Sequence, residues 1–190
     1  SASGDGLLSD SVLQVLEDDE GYIWLATDGG GISRLDKNSD DIFTFTHSAD
    51  NENSLTSDTA WSIYQDSKGR FWIGTQGRGL NRFEPDDRRQ LKNNFKRYTV
   101  NMGLPSSTVN GVLEDDNGFI WISTNKGVSR LDPDTDQFHH YNLTSLIHKN
   151  ELNLGAMLKA SNGRLFFGGI NGITAFYPKD ITQNTHVPTI

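Results

Sequence analysis

The sequence has no cysteine, which excludes disulfide staples and thiolate metal sites but leaves the compartment open. It has no run of eighteen apolar residues, so no stretch of it reads as a membrane-spanning helix. Positive charge is the scarcer sign: 17 Lys and Arg stand against 25 Asp and Glu, a net charge of −8. Nucleic-acid binding needs clustered cations that displace counterions, so that class of partner is excluded. The one basic cluster, Arg88, Arg89, Lys92, Lys96 and Arg97, falls in and just after an expanded loop and reads as a solvated hairpin tip. Methionine is also rare, at two. Against these shortages stand 19 glycines, ten phenylalanines and four tryptophans in 190 residues, a turn-rich, aromatic-packed composition that favours an all-β domain. The start, residues 1–6, has no signal-peptide pattern and reads as a cut made within a longer protein.

One block recurs four times, at residues 12–36, 60–84, 109–132 and 155–177. Gly21, Gly69, Gly118 and Gly163 align across the copies. Three residues beyond them stand Trp24, Trp72, Trp121 and Phe166, and a second glycine follows at Gly31, Gly79, Gly127 and Gly172. The apolar runs within each copy are too short for helices and are closed by Asp, Asn or Gly, so they read as strands. The tetrads DDEG, DSKG, DDNG and ASNG suit hairpin turns, with the aligned glycine free to take positive φ. A fourth, aromatic strand closes the first three copies, at residues 42–46, 95–98 and 138–141. Four strands per repeat, apolar on both faces, predict a β-propeller segment of about four four-stranded blades, spanning about 12–47, 59–98, 108–141 and 154–177. Trp24, Trp72, Trp121 and Phe166 are the expected blade core. The last copy lacks its outer strand, so its blade is expected to be incomplete, and the arc could close on itself, stay open or pair into a larger ring.

Catalytic and metal constellations are missing from the pattern. Asp18, Asp19 and Glu20 lack the ligand spacing of a calcium loop. His139 and His140 alternate across one strand and cannot easily share a metal, and His47, His148 and His186 stand alone. There is no nucleophile elbow and no phosphate loop entering a helix, and the paired carboxylates recur with the turns of the repeat. No metal, cofactor or catalytic residue is expected. Binding sites on such scaffolds lie in loops. Here those are residues 48–58, 100–107 and 142–153 between copies, and 28–30, 76–78, 125–126 and 170–171 within them. Asp28, Gln76, Arg78, Asn125 and Asn171 are the candidate polar contacts to a carbohydrate or other small polar ligand. Trp61 is the one tryptophan outside the aligned position, where its counterparts are Leu13 and Asn110, and it is the candidate for stacking on a sugar ring.

The run VLQVLEDDEGYIWLAT followed by GISRLD resembles the two-component regulator propeller repeat, as do the lead-ins GLPSSTV at 103–109 and SLTSDTA at 54–60. The fourth copy departs from the pattern, with Ala160-Ser161 for the acidic pair and Phe166 for Trp. The resemblance implies the extracytoplasmic, periplasmic sensor region of a bacterial membrane receptor whose output is a histidine kinase or a diguanylate cyclase. It implies homodimerisation through self-association or within the intact receptor. It also implies that residues 178–190, beginning PKDI at 178–181 and continuing to Val187-Pro188, lead towards a β-sandwich, with earlier blades lying before this segment. Function is therefore expected to be non-catalytic ligand sensing or interaction. The alternatives are a propeller enzyme acting on polysaccharide, as lyase or glycosidase, and an assembly scaffold without small ligand.

Overall fold

A computed structural model describes residues 6–141 and 152–181, with only the backbone for Pro85 and Arg88. It is a β-propeller built of antiparallel sheets in the order of the chain. Blade 1 holds β1 (Val12–Glu17), β2 (Ile23–Thr27), β3 (Ile32–Leu35) and β4 (Ile42–Phe45). Blade 2 holds β5 (Ala60–Gln65), β6 (Phe71–Thr75), β7 (Gly79–Phe83) and β8 (Phe95–Tyr98), with a short helix α1 (Pro85–Arg89) in its last connection. Blade 3 holds β9 (Val109–Glu114), β10 (Ile120–Thr124), β11 (Gly127–Asp132) and β12 (Gln137–His140). Blade 4 shows three strands among the described residues: β13 (Leu152–Lys159), β14 (Leu165–Gly169) and β15 (Gly172–Phe176). The expected leader to a sandwich begins as a single 3-10 turn at Pro178–Asp180, and Val187-Pro188 lies outside the described residues.

The first strand of each blade is innermost: β1 packs on β5, β5 on β9, and β9 on β13. An inner strand exposes an unpaired backbone edge. Gln14 covers part of one, its Nε2 donating to the Ile63 carbonyl at 3.1 Å while the Ile63 N–H donates back to Oε1 at 3.0 Å.

The three aligned tryptophans are buried between blades. Trp24 lies 4.5 Å from Phe71 and 6.2 Å from Phe83 of blade 2. Trp72 joins Val112, Ile120, Ile122 and Leu131 of blade 3, and Trp121 lies 5.0 Å from Phe176 of blade 4. Each indole also has a polar anchor that the turn pattern did not reveal. Trp24, Trp72 and Trp121 donate Nε1–H to Asp18, Asp66 and Asp115, each at 2.8 Å. The same aspartates accept turn N–H groups, from Tyr22 at 2.9 Å, Arg70 at 2.9 Å and Phe119 at 3.1 Å. One carboxylate therefore pins both the hairpin turn and the wedge, and Asp66 also pairs with the buried Arg70 guanidinium at 2.6 Å. Gly21, Gly69, Gly118 and Gly163 take φ of 86°, 74°, 81° and 80°, as these turns require.

Phe166 departs from the expected core: it is half-buried, because no blade lies beyond it among the described residues. The arginine of the GISRL motif gains a role as well, with Arg34 stacked 4.1 Å above Tyr22 and Arg130 4.3 Å above Phe119.

The rims of the blades are tied by charge. Asp134 accepts from Lys68 at 3.0 Å. Asp136 accepts from Lys96 and, at 2.6 Å, from the Tyr98 hydroxyl. Burial alone would raise the Asp136 carboxyl, but the hydrogen bonds from Lys96 and Tyr98 hold it below its ordinary range. Burial, reinforced by the bond to Asp136, pushes the Tyr98 hydroxyl well up. The basic cluster is thus not simply a solvated tip. Lys96 reaches Asp136, Arg97 donates to the Ser54 carbonyl at 2.9 Å, and Arg89 pairs with Glu20 of blade 1 at 2.7 Å.

Candidate ligand-contact face

The turns joining second to third strands and the segments joining one blade to the next meet at one end of the propeller. Glycine makes this possible. Gly31, at φ 76°, donates its N–H to the Asp58 carbonyl at 2.7 Å, and a Cβ there would lie 2.2 Å from the Phe45 carbonyl oxygen. Gly79 repeats the arrangement, donating to the Ser107 carbonyl at 2.7 Å, with φ 92° and a Cβ position 2.3 Å from the Tyr98 oxygen. The lead-ins to blades 2 and 3 are therefore laid directly across the turn of the blade before them.

The inner strands begin at this end, and each of the first three begins with a register shift, between Val12 and Gln14, between Ala60 and Ser62, and where Val109 gives way to Gly111. The residues left over are Leu13, Trp61 and Asn110. A bulge leaves one residue unpaired and re-aims its side chain. Trp61 is half-buried and, unlike the other three, has no aspartate acceptor or ring partner among the described residues. Asn110 is buried, its Nδ2 donating to the Leu152 carbonyl at 2.8 Å and lying 3.2 Å from Asn125 Oδ1.

A shallow cleft of about 220 Å³ opens between the β6–β7 turn and the segment leading to blade 3, lined by Gly77, Arg78, Gly79, Thr99, Val100, Asn101 and Ser107. Val100, in the lining of this cleft, is half exposed.

The six sequence-derived candidates do not converge on one pocket. Arg78 lines the cleft. Gln76 is exposed next to it, its N–H donating to the Thr59 carbonyl at 3.2 Å. Trp61 lies two residues beyond Thr59, at the inner-strand mouth. Asp28 accepts from Thr59 Oγ1 at 3.2 Å, so it also steadies the lead-in to blade 2. Asn125 is held against Asn110, and Asn171 is exposed at the tip of the β14–β15 turn. Thr99, Asn101 and Asn110 were not singled out by sequence reasoning. The two loop residues carried no repeat signal, and Asn110 was visible only as the counterpart of Trp61. Of the connections named from sequence, residues 142–151 lie outside the described residues, as do His148 and His186.

Residues 6–29, 54–77 and 103–126 match the family model of the two component regulator propeller. Each window runs from a lead-in through the aspartate–tryptophan pair to the turn on the contact face. Over 88 residues the chain is 31% identical to a histidine kinase of Formosa agariphila, an alignment that covers 46% of this chain and 6% of that protein. The extracellular domain of a hybrid two component system from B. thetaiotaomicron superposes with a TM-score of 0.78 at 24% identity, over 90% of this chain and 23% of that one. A catalytically inactive virginiamycin B lyase from Staphylococcus aureus, crystallised with quinupristin, gives 0.64 at 18% identity, over 94% of this chain and 60% of that one. At these identities the structural likeness speaks to the fold. The chain spans only a small part of the histidine kinase and of the extracellular domain that it matches.

Proposed function

Because three of its four blades are two-component regulator propeller repeats, this chain belongs to that propeller family, and we propose that it is a non-catalytic input module of a bacterial transmembrane receptor, placed in the periplasm and contacted by a small polar ligand at its loop face. The observation that carries the reading is Trp61. Three indoles are locked between blades by an aspartate, whereas the fourth stands at a bulge where the loops meet, half-buried and without such an anchor. An aromatic face with polar neighbours suits the alternating apolar and hydroxyl surfaces of a sugar. Gln76 and Arg78, on the adjoining turn, would supply hydrogen bonds.

In such a receptor the ligand acts by differential affinity. Occupancy biases the geometry of a dimeric assembly by the size of the coupling, typically ~1–3 kcal/mol, and an output kinase or cyclase reads that bias. The extracytoplasmic placement draws on the likeness to the extracellular domain of a two component system. No helix among the described residues is long and apolar enough to cross a membrane.

Titration calorimetry with a panel of di- to hexasaccharides tests the reading. Trp61→Ala is expected to weaken binding of any hit about tenfold, equivalent to ~1.4 kcal/mol, with the fold retained by circular dichroism. A full panel without heat, or a hit indifferent to Trp61→Ala and Arg78→Ala alike, removes this site. Turnover of a glycan by the intact propeller, abolished by one carboxylate substitution, would instead make the protein an enzyme.

A further inference from the structure

Most arginines of this acidic chain are already matched. Arg70, Arg82 and Arg89 pair with Asp66, Glu84 and Glu20. Arg97 donates to the Ser54 carbonyl at 2.9 Å. Arg34, Arg130 and Arg164 lie over the rings of Tyr22, Phe119 and Phe166, at 4.1, 4.3 and 5.2 Å. Arg78 differs: among the described residues its guanidinium has neither acceptor nor ring, and it stands exposed in the wall of the loop-face cleft. The lining of that cleft contains no carboxylate. Two other clefts also hold cations, but always with acids. One of about 420 Å³ sets Arg82, Lys96 and Arg97 among Glu52, Glu84 and Asp87, and one of about 280 Å³ sets Lys179 with Asp116.

The other polar side chains around Arg78 are uncommitted as well. Thr99 precedes the 3-10 turn Val100–Met102 and makes no side-chain cap bond. Its carbonyl accepts from Met102 and Leu104, and that of Ser107 accepts from Gly79, but the Thr99, Asn101 and Ser107 side chains bond to no group among the described residues. Two hydroxyls and an amide thus surround an unmatched guanidinium, whose planar fork of N–H groups fits the oxygens of an oxyanion. The matching turn of blade 1 has lost this chemistry. There Gly30 stands where blade 2 has Arg78, just before the second aligned glycine, and Asp28 brings a carboxylate that Thr59 binds at 3.2 Å. In blade 3 the place is taken by Lys126, exposed and with no carboxylate partner among the described residues, so two neighbouring turns present a cation.

We propose that this cleft is an oxyanion site, which makes the ligand of the loop face an acidic saccharide whose carboxylate or sulfate is held by Arg78 with Thr99, Asn101 and Ser107. The saccharide rests on the function proposed above, whereas the anion rests on the cleft alone. Selectivity here is local. A net charge of −8 opposes anions at long range, so attraction comes from the guanidinium at contact distance and weakens as salt screens it.

Calorimetry on the 190-residue chain compares digalacturonate, a sulfated galactobiose and neutral galactobiose at ~20 and ~200 mM NaCl. The expected result is that at least one charged sugar binds about tenfold tighter than the neutral one at low salt, and that the advantage shrinks at high salt. Arg78→Gln should bring the charged sugar down to the level of the neutral one, and the tighter of the two charged sugars identifies the group. Equal binding of neutral and charged sugars, or a preference that survives Arg78→Gln, overturns the proposal and leaves the saccharide reading standing. If no sugar binds, the saccharide reading falls, and sodium sulfate and sodium acetate are titrated into isotope-labelled protein while the Arg78 Nε–H and Asn101 side-chain signals are followed by NMR. Shifts that vanish at Asn101 in Arg78→Gln support the oxyanion site, and unmoved signals in the wild type overturn it.

Discussion

Blades 1 to 3 and blade 4 offer a comparison within one chain. In the first three, an aspartate three residues before the turn glycine holds the indole N–H of a tryptophan three residues after it. In blade 4 both partners have gone, to Ala160 and Phe166. Losing them together is the physically economical route. An indole without its acceptor would bury an unpaired donor, and an aspartate without its donor would bury a charge, whereas alanine with phenylalanine leaves neither. The repeat therefore teaches that the acidic pair is not chiefly a turn device. Blade 4 keeps its turn glycine at φ 80° and its hairpin without any carboxylate.

The comparison can be broken at several strengths. Trp121→Ala is expected to cost ~3–5 kcal/mol by leaving a cavity between blades 3 and 4. Phe166→Ala, half-buried, should cost under ~1.5 kcal/mol, and chemical denaturation of both variants measures the gap. Equal losses would mean that the wedge position matters no more in the seams than at the end of the arc.

Asp115→Ala should cost ~2–3 kcal/mol, because it strands the Trp121 donor and two turn N–H groups. Adding Trp121→Phe, which recreates the fourth copy, should make the double variant more stable than the sum of the singles by ~1 kcal/mol in a double-mutant cycle. Strict additivity would dissolve the pairing.

A smaller effect is expected at the rim. Asp136→Asn should cost ~1 kcal/mol at neutral pH, discounted for its partial exposure. The folded carboxyl sits below its ordinary value, so its contribution is complete above the unfolded value near ~4 and fades as pH falls from there through the folded one. Melting curves of the wild type and this variant should therefore draw together below pH ~4. A gap that is constant with pH would show that charge is not what ties this seam.

Much of the scaffold was legible because repetition exposes it. Four aligned glycines and the wedge three residues later marked turn, strand and blade from the chain alone, and three strands of the last copy stand among the described residues. The candidate site was less legible. Arg78 and Trp61 stood out by chemistry, but Thr99 and Asn101 line the same cleft as Arg78 from a segment with no repeat signal, while Asp28 turned out to be engaged by Thr59 of the lead-in to blade 2 and Asn125 by Asn110 of β9. The basic cluster misled for a related reason. A charge run shows its sign in sequence, while its acceptors, Asp136, Ser54 and Glu20, lie some 40 to 70 residues away along the chain.

What the sequence determined by itself is the blade: period-two apolar alternation, turn chemistry and a recurring wedge are local properties, each written within a few dozen residues. What only the tertiary structure decided is where each blade's faces go. Whether Phe166 is core or surface, whether Val15 is covered, and whether an aspartate serves a turn, an indole or the next blade depend on surfaces brought together from different repeats. A repeat that spells the same face four times cannot say which copy lacks a neighbour.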